Sequence, residues 1–294
     1  MSAVVLGMVA AVAWGTHDFA ARFAARAVGY RLATLGVTLG GMVWLTAWSW
    51  FAGHAVVIDL DHVWLLVATG IGFTLATLWL FAALAIGPLA VVAPIVGAYP
   101  LFAVLIALLR GTHPGPQEWT AMGVVLLGVV MVARHGVVPE ARYGVVPEAR
   151  RTSAHKARII ALACLSSAAF ALSITAGQLA SPYYGEIQAT LLSRLFGFAV
   201  IASIVLWRRE WSSSVGRWWP LVAIMGALDA IAVGAVLSAG HQPRPELATV
   251  ASSGFGTVAV LFAWIFLRER ISALQWVGVG LVFAGVGVLS SAVG

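Results

Sequence analysis

Stretches of roughly 20 residues with almost no charged side chain recur along the whole chain, separated by short polar or basic connections. An α-helix rises about 1.5 Å per residue, so a run of about 20 apolar residues crosses the hydrocarbon core of a bilayer. Ten such segments are predicted: 3–22, 30–51, 63–86, 88–109, 117–134, 157–180, 186–207, 218–240, 246–267 and 273–292. Only helices satisfy every backbone polar group within one such segment. The pattern therefore predicts an all-α integral membrane protein with ten transmembrane helices.

The stretch from Pro245 to Leu289 reads as a second copy of Pro88 to Val132. Leu89, Ala90, Val92 and Ala93 align with Leu247, Ala248, Val250 and Ala251, and Leu109-Arg110 with Leu267-Arg268. After a one-residue slip, Trp119, Gly123 and Gly128 align with Trp276, Gly280 and Gly285. The chain then divides into a first five-helix repeat, 1–135, and a second, 157–294. Five is odd, so the second repeat should cross the membrane in the opposite sense, as in secondary transporters built from inverted repeats.

Charge placement agrees. Connections 1–2, 5–6, 7–8 and 9–10 hold 14 of the 17 Lys and Arg residues. The opposite connections hold only Arg110 and Arg244, and Arg194 lies inside the seventh segment. The positive-inside rule puts the basic side in the cytoplasm and both termini outside it, on the periplasmic side of a bacterial inner membrane. Residues 136–156 form a predicted cytoplasmic linker containing the tandem octapeptide GVVPEARY-GVVPEARR, whose prolines and charges suit a partly flexible connector.

Composition narrows the class. The chain has 294 residues, 61% hydrophobic and 10% charged, too little polar surface for a soluble domain of this size. The net charge of +6 would suggest nucleic acid in a soluble protein, but topology accounts for it and no nucleic-acid partner is expected. The N-terminal MSAVVLG has no basic residue before the first apolar run, so no cleaved signal peptide is expected. Cys164, the one cysteine, is expected as a small core residue.

The pattern LRERISALQWVGVGLVFAGVGVL at 267–289 closes a five-helix repeat in a way that resembles the EamA-like exporters of the drug/metabolite transporter superfamily. Glu269 falls on the acidic residue that usually ends the fourth helix of that repeat. Trp14-Gly15 and Tyr99-Pro100-Leu101-Phe102 match further. Gly111-Thr112 departs, since the acidic residue is missing there, and the sixth segment lacks the Trp-Gly pair. Within the group, the chain is most similar to bacterial amino-acid exporters of the YddG type. The resemblance implies a central cavity lined mainly by segments 1, 3, 4, 6, 8 and 9, with segments 5 and 10 peripheral. Glycines 123, 128, 278, 280 and 285 on those two would permit close helix contact, within one chain or in a dimer seam.

Ionisable groups within apolar spans are functional candidates because leaving them in lipid is costly. His17 is a candidate for substrate or proton binding. Asp18 is expected to pair with Arg22, one helical turn on. Arg194 and Asp229 are expected either to compensate each other or to meet the two charges of a zwitterionic substrate. Trp14, Thr77, Trp79, Tyr99, Ser173, Ser252, Ser253 and Thr257 complete the candidate cavity, an aromatic-walled site with sparse hydroxyls suited to small amphipathic metabolites. For the tryptophans and small hydroxylated residues the plain alternative is helix packing or lipid contact. Pro94 and Pro100 would loosen the fourth segment.

No metal-ligand spacing and no phosphate-cradling Gly-Lys-Ser/Thr loop occurs, so neither an enzyme nor a cofactor is expected. The expected activity is export of small metabolites, amino acids including aromatic ones first, by alternating access, from a monomer or weak homodimer. The alternatives are export of organic cations, which would use Asp229 and Asp18, and a translocator of sugar phosphates or nucleotide sugars, which would need more than one cavity Arg.

Overall fold

The computed structural model describes every residue except 1, 53–56, 58, 87–91, 93–94, 112–113, 135–152, 211–214, 268–271 and 293–294. Among the described residues all regular structure is helical: α1 (Ala3–Val28), α2 (Tyr30–Ala52), α3 (Val63–Ile86), α4 (Tyr99–Leu109), α5 (Pro116–Arg134), α6 (Ser153–Tyr184), α7 (Glu186–Arg208), α8 (Val215–Ser238), α9 (Glu246–Ser252), α10 (Phe255–Leu267) and α11 (Ala273–Ala292). Six of them, α1 to α3 and α6 to α8, are long and apolar enough to cross a membrane. The predicted linker loses its last four residues to the first turn of α6, and the tandem octapeptide lies outside the described residues, as do Pro94 and Glu269.

The ninth predicted segment is not one helix but two, α9 and α10, broken at Ser253-Gly254. The Ser252 and Ser253 hydroxyls donate back to the carbonyls of Thr249 (2.9 Å) and Val250 (2.7 Å). The Ser253 and Gly254 amides also bond three residues back, to Val250 and Ala251. Such back-bonding tightens the last turn and competes with continued α-helix.

Two glycines join the longest pairs of helices. Gly29 (φ 85°) links α1 to α2 and Gly185 (φ 74°) links α6 to α7, each in the left-handed region that residues with a Cβ avoid. The offset from Gly29 to Gly185 also maps Gly41 of α2 onto Gly197 of α7, and Gly70 of α3 onto Gly226 of α8. These glycines make two close backbone crossings of the interior. A Cβ on Gly226 would meet the Gly41 nitrogen at 2.5 Å and the Val37 carbonyl at 2.7 Å. One on Gly70 would meet the Ser193 carbonyl at 1.7 Å and the Gly197 nitrogen at 3.2 Å. Val37 and Ser193 are related by the same offset, so crossing α2·α8 repeats crossing α3·α7 with the halves exchanged.

The other main interfaces obey the same exchange: α1 packs on α8 as α6 packs on α3, and α1 on α9–α10 as α6 on α4. Helices α5 and α11 pack on each other. There a Cβ on Gly128 would strike the Gly278 carbonyl at 2.7 Å, and one on Gly285 the Ala121 carbonyl at 3.0 Å. That close contact is made within one chain. Lipid offers no hydrophobic drive between helices, so backbone approach at small residues supplies much of the packing. The outer surface is correspondingly apolar, with Trp48, Trp50, Phe51 and Trp207 exposed near helix ends. Cys164 lies on this surface rather than in the core, because it falls on the face of α6 turned away from α3.

Contacts between connections sort the helix ends into two sets. Arg31 at the start of α2 pairs with Glu210 beyond α7, and His155 Nε2 bonds the Ile86 carbonyl at 3.1 Å. At the other end the Tyr184 hydroxyl donates to the Asp59 carbonyl, the His62 ring stacks on Tyr183 with centroids 3.6 Å apart, and Arg244 pairs with Glu118 at 2.7 Å and Glu246 at 2.5 Å. The His62 hydrogen bond holds the Asp59 carboxyl below the usual carboxylate range. Burial opposes the charge on Arg244, but bonds to Glu246 and Glu118 outweigh it and hold the guanidinium above its usual value.

Candidate functional site

The crossings leave a cavity of about 50 Å³ at mid-depth between α1, α2, α3, α7 and α8. Its lining includes Val37 and Ser193, Thr38 and Arg194, Phe73 and Asp229, and Thr77 and Val233, each pair related by the offset that relates the halves. The cavity therefore straddles the exchange axis. Its lining differs from the one the family resemblance implied: α2 and α7 contribute, whereas α4, α6, α9 and α10 do not. The glycines explain this, because Gly41 and Gly197 bring α2 and α7 into the centre.

Asp229 is the hub. Its Oδ2 accepts from Arg194 Nη2 at 2.7 Å, and its Oδ1 accepts from Trp14 Nε1 at 2.9 Å. Trp14, His17 and Arg194 are all buried. His17 places Nδ1 2.9 Å from Asp18 Oδ1, so Asp18 is bonded to its neighbour; the Arg22 side chain expected there lies outside the described side chains. Two buried nitrogens at the cavity, His17 Nε2 and Arg194 Nε, have no hydrogen-bond partner among the described residues. Burying such groups unpaired is expensive, which makes them candidates for contact with a ligand or water.

The network has no counterpart across the axis. The residues equivalent to Trp14, His17, Arg194 and Asp229 are Phe170, Ser173, Thr38 and Phe73. Phe170 and Phe73 meet edge to face with centroids 5.9 Å apart, and the Ser173 hydroxyl turns back to the Ala169 carbonyl at 2.6 Å. All the charge sits on one set of equivalent positions.

Of the residues singled out in the sequence, His17, Thr77, Arg194 and Asp229 line the cavity and Trp14 bonds to it. The others lie elsewhere. Ser173 fills the notch beside Gly72 in the α3·α6 interface. Trp79 is half-buried on α3, outside the lining. Tyr99 and Ser252 bond to each other at 2.6 Å, with Tyr99 stacked on Phe255; Ser252, Ser253 and Thr257 are buried around the α9–α10 break, where the Thr257 hydroxyl has no partner among the described residues. Sequence reasoning missed Thr34, Thr38 and Ser193. Their signal was the offset itself, which places Thr38 opposite Arg194.

No group of three or more His, Cys, Asp or Glu arranged to hold a metal occurs among the described residues. A recess of about 500 Å³ on the outer face of α2 is lined by Leu39, Met42, Val43, Thr46, Ala47 and Trp50, with no charged group.

The chain belongs to the EamA-like transporter family, which it matches over residues 1–134 and 157–291, the two halves described above. It is thus a multi-pass membrane transporter of the drug/metabolite type, not a member of an enzyme family. No curated protein matches the chain. One solved crystal structure, described only as that of a protein, aligns over 99% of this chain and 97% of its own, with a TM-score of 0.79 at 20% identity, which shows a shared fold.

Proposed function

We propose that the protein exports small zwitterionic metabolites, amino acids first, across a bacterial cytoplasmic membrane by alternating access between two inverted halves. The observation that carries the reading is the Arg194–Asp229 pair in a cavity on the exchange axis, with His17 Nε2 and Arg194 Nε left open beside it. Arg194 Nε is a donor for a substrate carboxylate. The carboxylates and hydroxyl lone pairs around it suit an ammonium group.

Size supports a moving site. Pockets for small organic ligands run to about 300–1,000 Å³, and this cavity is about 50 Å³. In this reading the described state is contracted, and substrate enters only when one interface across the axis opens. Five predicted spans per half, the broken α9–α10 counting as one, with connections sorted into two ends, fit inversion. Gly128 of α5 and Gly285 of α11 are engaged within one chain, which favours a monomer. A single cavity arginine fits a sugar phosphate poorly.

Ligand-dependent stability tests the substrate class. Anything that binds only the folded protein stabilises it in proportion to its occupancy, by about 2.7 kcal/mol at a hundredfold excess over Kd. Amino acids should raise the melting temperature of detergent-solubilised protein in a saturable manner, and Asp229→Asn should abolish the rise. A rise with organic cations and none with amino acids would instead favour cation export, for which Asp18 and Asp229 supply the negative charge.

A further inference from the structure

The transporter reading leaves its energy source open, and the geometry of His17 bears on that. We propose that His17 carries the coupling proton: its Nε2 holds either a proton or the substrate's ammonium, never both, so that substrate and proton cross in opposite directions. The inference rests on the proposed function and adds its coupling ion.

The ring nitrogens have separate tasks. Nδ1 faces Asp18 Oδ1 at 2.9 Å, and an ionised carboxylate only accepts hydrogen bonds, so Nδ1 bears a hydrogen. In the neutral ring Nε2 is then a bare lone pair. It is buried, without a partner among the described residues, on a side chain that lines the cavity. Most hydroxyls around that cavity point their hydrogens elsewhere: Thr34 donates to the Tyr30 carbonyl, Thr38 to Thr34, Thr77 to Phe73 and Ser193 to Thr190. The donors left at the cavity are Arg194 Nε and the Thr74 hydroxyl, and among the described residues neither bonds this nitrogen.

Charge gives the same answer. The groups that face His17 are Asp18 on its own helix, Asp229 on α8 and Arg194 on α7. Helices α2 and α3 bring only hydroxyl, glycine and apolar groups to the cavity, and α10 meets α1 near this level through apolar Phe255 and Val258. Two carboxylates against one guanidinium leave an excess negative charge, which a proton on Nε2 balances. Protonation turns Nε2 from acceptor to donor, and the ring can then no longer receive an ammonium group. The equivalent position in the other half is Ser173, which does not titrate, so each chain carries one proton here. The proton comes from water on one face of the membrane and returns to water on the other.

Two measurements test this. In protein with ¹⁵N-labelled histidines in nanodiscs and no substrate, the signal lost in His17→Gln should report a hydrogen on Nδ1 alone in the neutral ring and on both nitrogens after acidification. A hydrogen on Nε2 in the neutral ring, or a ring that takes up no second proton on acidification, overturns the proposal. In proteoliposomes with the membrane potential clamped, an interior one pH unit more acidic should drive a ¹⁴C-labelled amino-acid mixture to about tenfold accumulation, the limit for exchanging one proton per zwitterion. In His17→Gln accumulation should fall to the external concentration, whatever counterflow persists. Equal accumulation in both proteins overturns the proposal, as does wild-type counterflow without accumulation. If wild-type protein ignores amino acids but accumulates the cation ethidium against the gradient through His17, the substrate reading fails and the proton site stands. Movement of neither probe overturns the proposal.

Discussion

Trp14 and Asp229 belong to opposite halves of the chain and share a 2.9 Å hydrogen bond at mid-depth, whereas their equivalents Phe170 and Phe73 touch only through ring edges. At these positions the α1·α8 interface carries a charged hydrogen bond that α6·α3 lacks, although Ser166 bonds the Ala76 carbonyl elsewhere along α6·α3. Trp14→Phe should cost about 1.5–3 kcal/mol, the range for a hydrogen bond to a charged group, read by SDS unfolding. Phe73→Leu should cost less, about 1.5 kcal/mol at most, as a size-conserving apolar change. Equal losses would contradict the asymmetry.

The ion pair beside it is testable by a double-mutant cycle. Removing Arg194 or Asp229 alone leaves an uncompensated buried charge, which costs about 3–5 kcal/mol. Arg194→Gln and Asp229→Asn together should recover much of that loss. Simple addition of the two single losses would mean that the 2.7 Å contact contributes little.

The helices and the duplication were legible because apolar runs of spanning length and repeated Leu, Trp and Gly positions are strong linear signals. The two charges of the pair were legible for the same reason: Arg194 and Asp229 each stand alone in an apolar run. What the sequence hid was geometric. Ser253-Gly254 looks like continuous helix until the serine back-bonds shorten the turn. Thr38 and Ser193 look like ordinary helix hydroxyls until Gly41 and Gly197 draw α2 and α7 to the centre. Tyr99, Ser173 and Trp79 were chosen by residue type, and type does not say which face of a wholly apolar helix looks inward.

The glycine crossings predict which glycines tolerate a methyl group. Gly70→Ala and Gly226→Ala drive a Cβ into backbone atoms that cannot move aside, and each should lose about 1–3 kcal/mol. Gly123→Ala, where a Cβ meets nothing within 4 Å, should be neutral or mildly stabilising. Melting curves of the three variants decide the matter.

At the far end, Arg244 holds Glu118 and Glu246 together across the two halves. Arg244→Ala leaves two largely buried carboxylates facing each other, at about 1–3 kcal/mol. Since unpaired carboxylates cause that loss, Arg244→Lys, which keeps a cation there, should lose less than Arg244→Ala. An equal loss in Arg244→Lys would show that the shared cationic charge is not what matters.

Orientation follows from the 14 basic residues on one set of connections. A fluorescent protein that folds only in the cytoplasm should be dark when fused after Gly294 and bright when inserted within 136–151. The reverse pattern would invert the topology.

The most direct test of the central claim is counterflow of ¹⁴C-labelled amino acids into preloaded proteoliposomes, comparing wild-type protein with a correctly folded Asp229→Asn variant. The account predicts saturable counterflow well above that of protein-free vesicles, and at least a tenfold loss in Asp229→Asn, the equivalent of about 1.4 kcal/mol at the site. Wild-type flux no greater than the protein-free leak, or an Asp229→Asn variant as fast as the wild type, would contradict it.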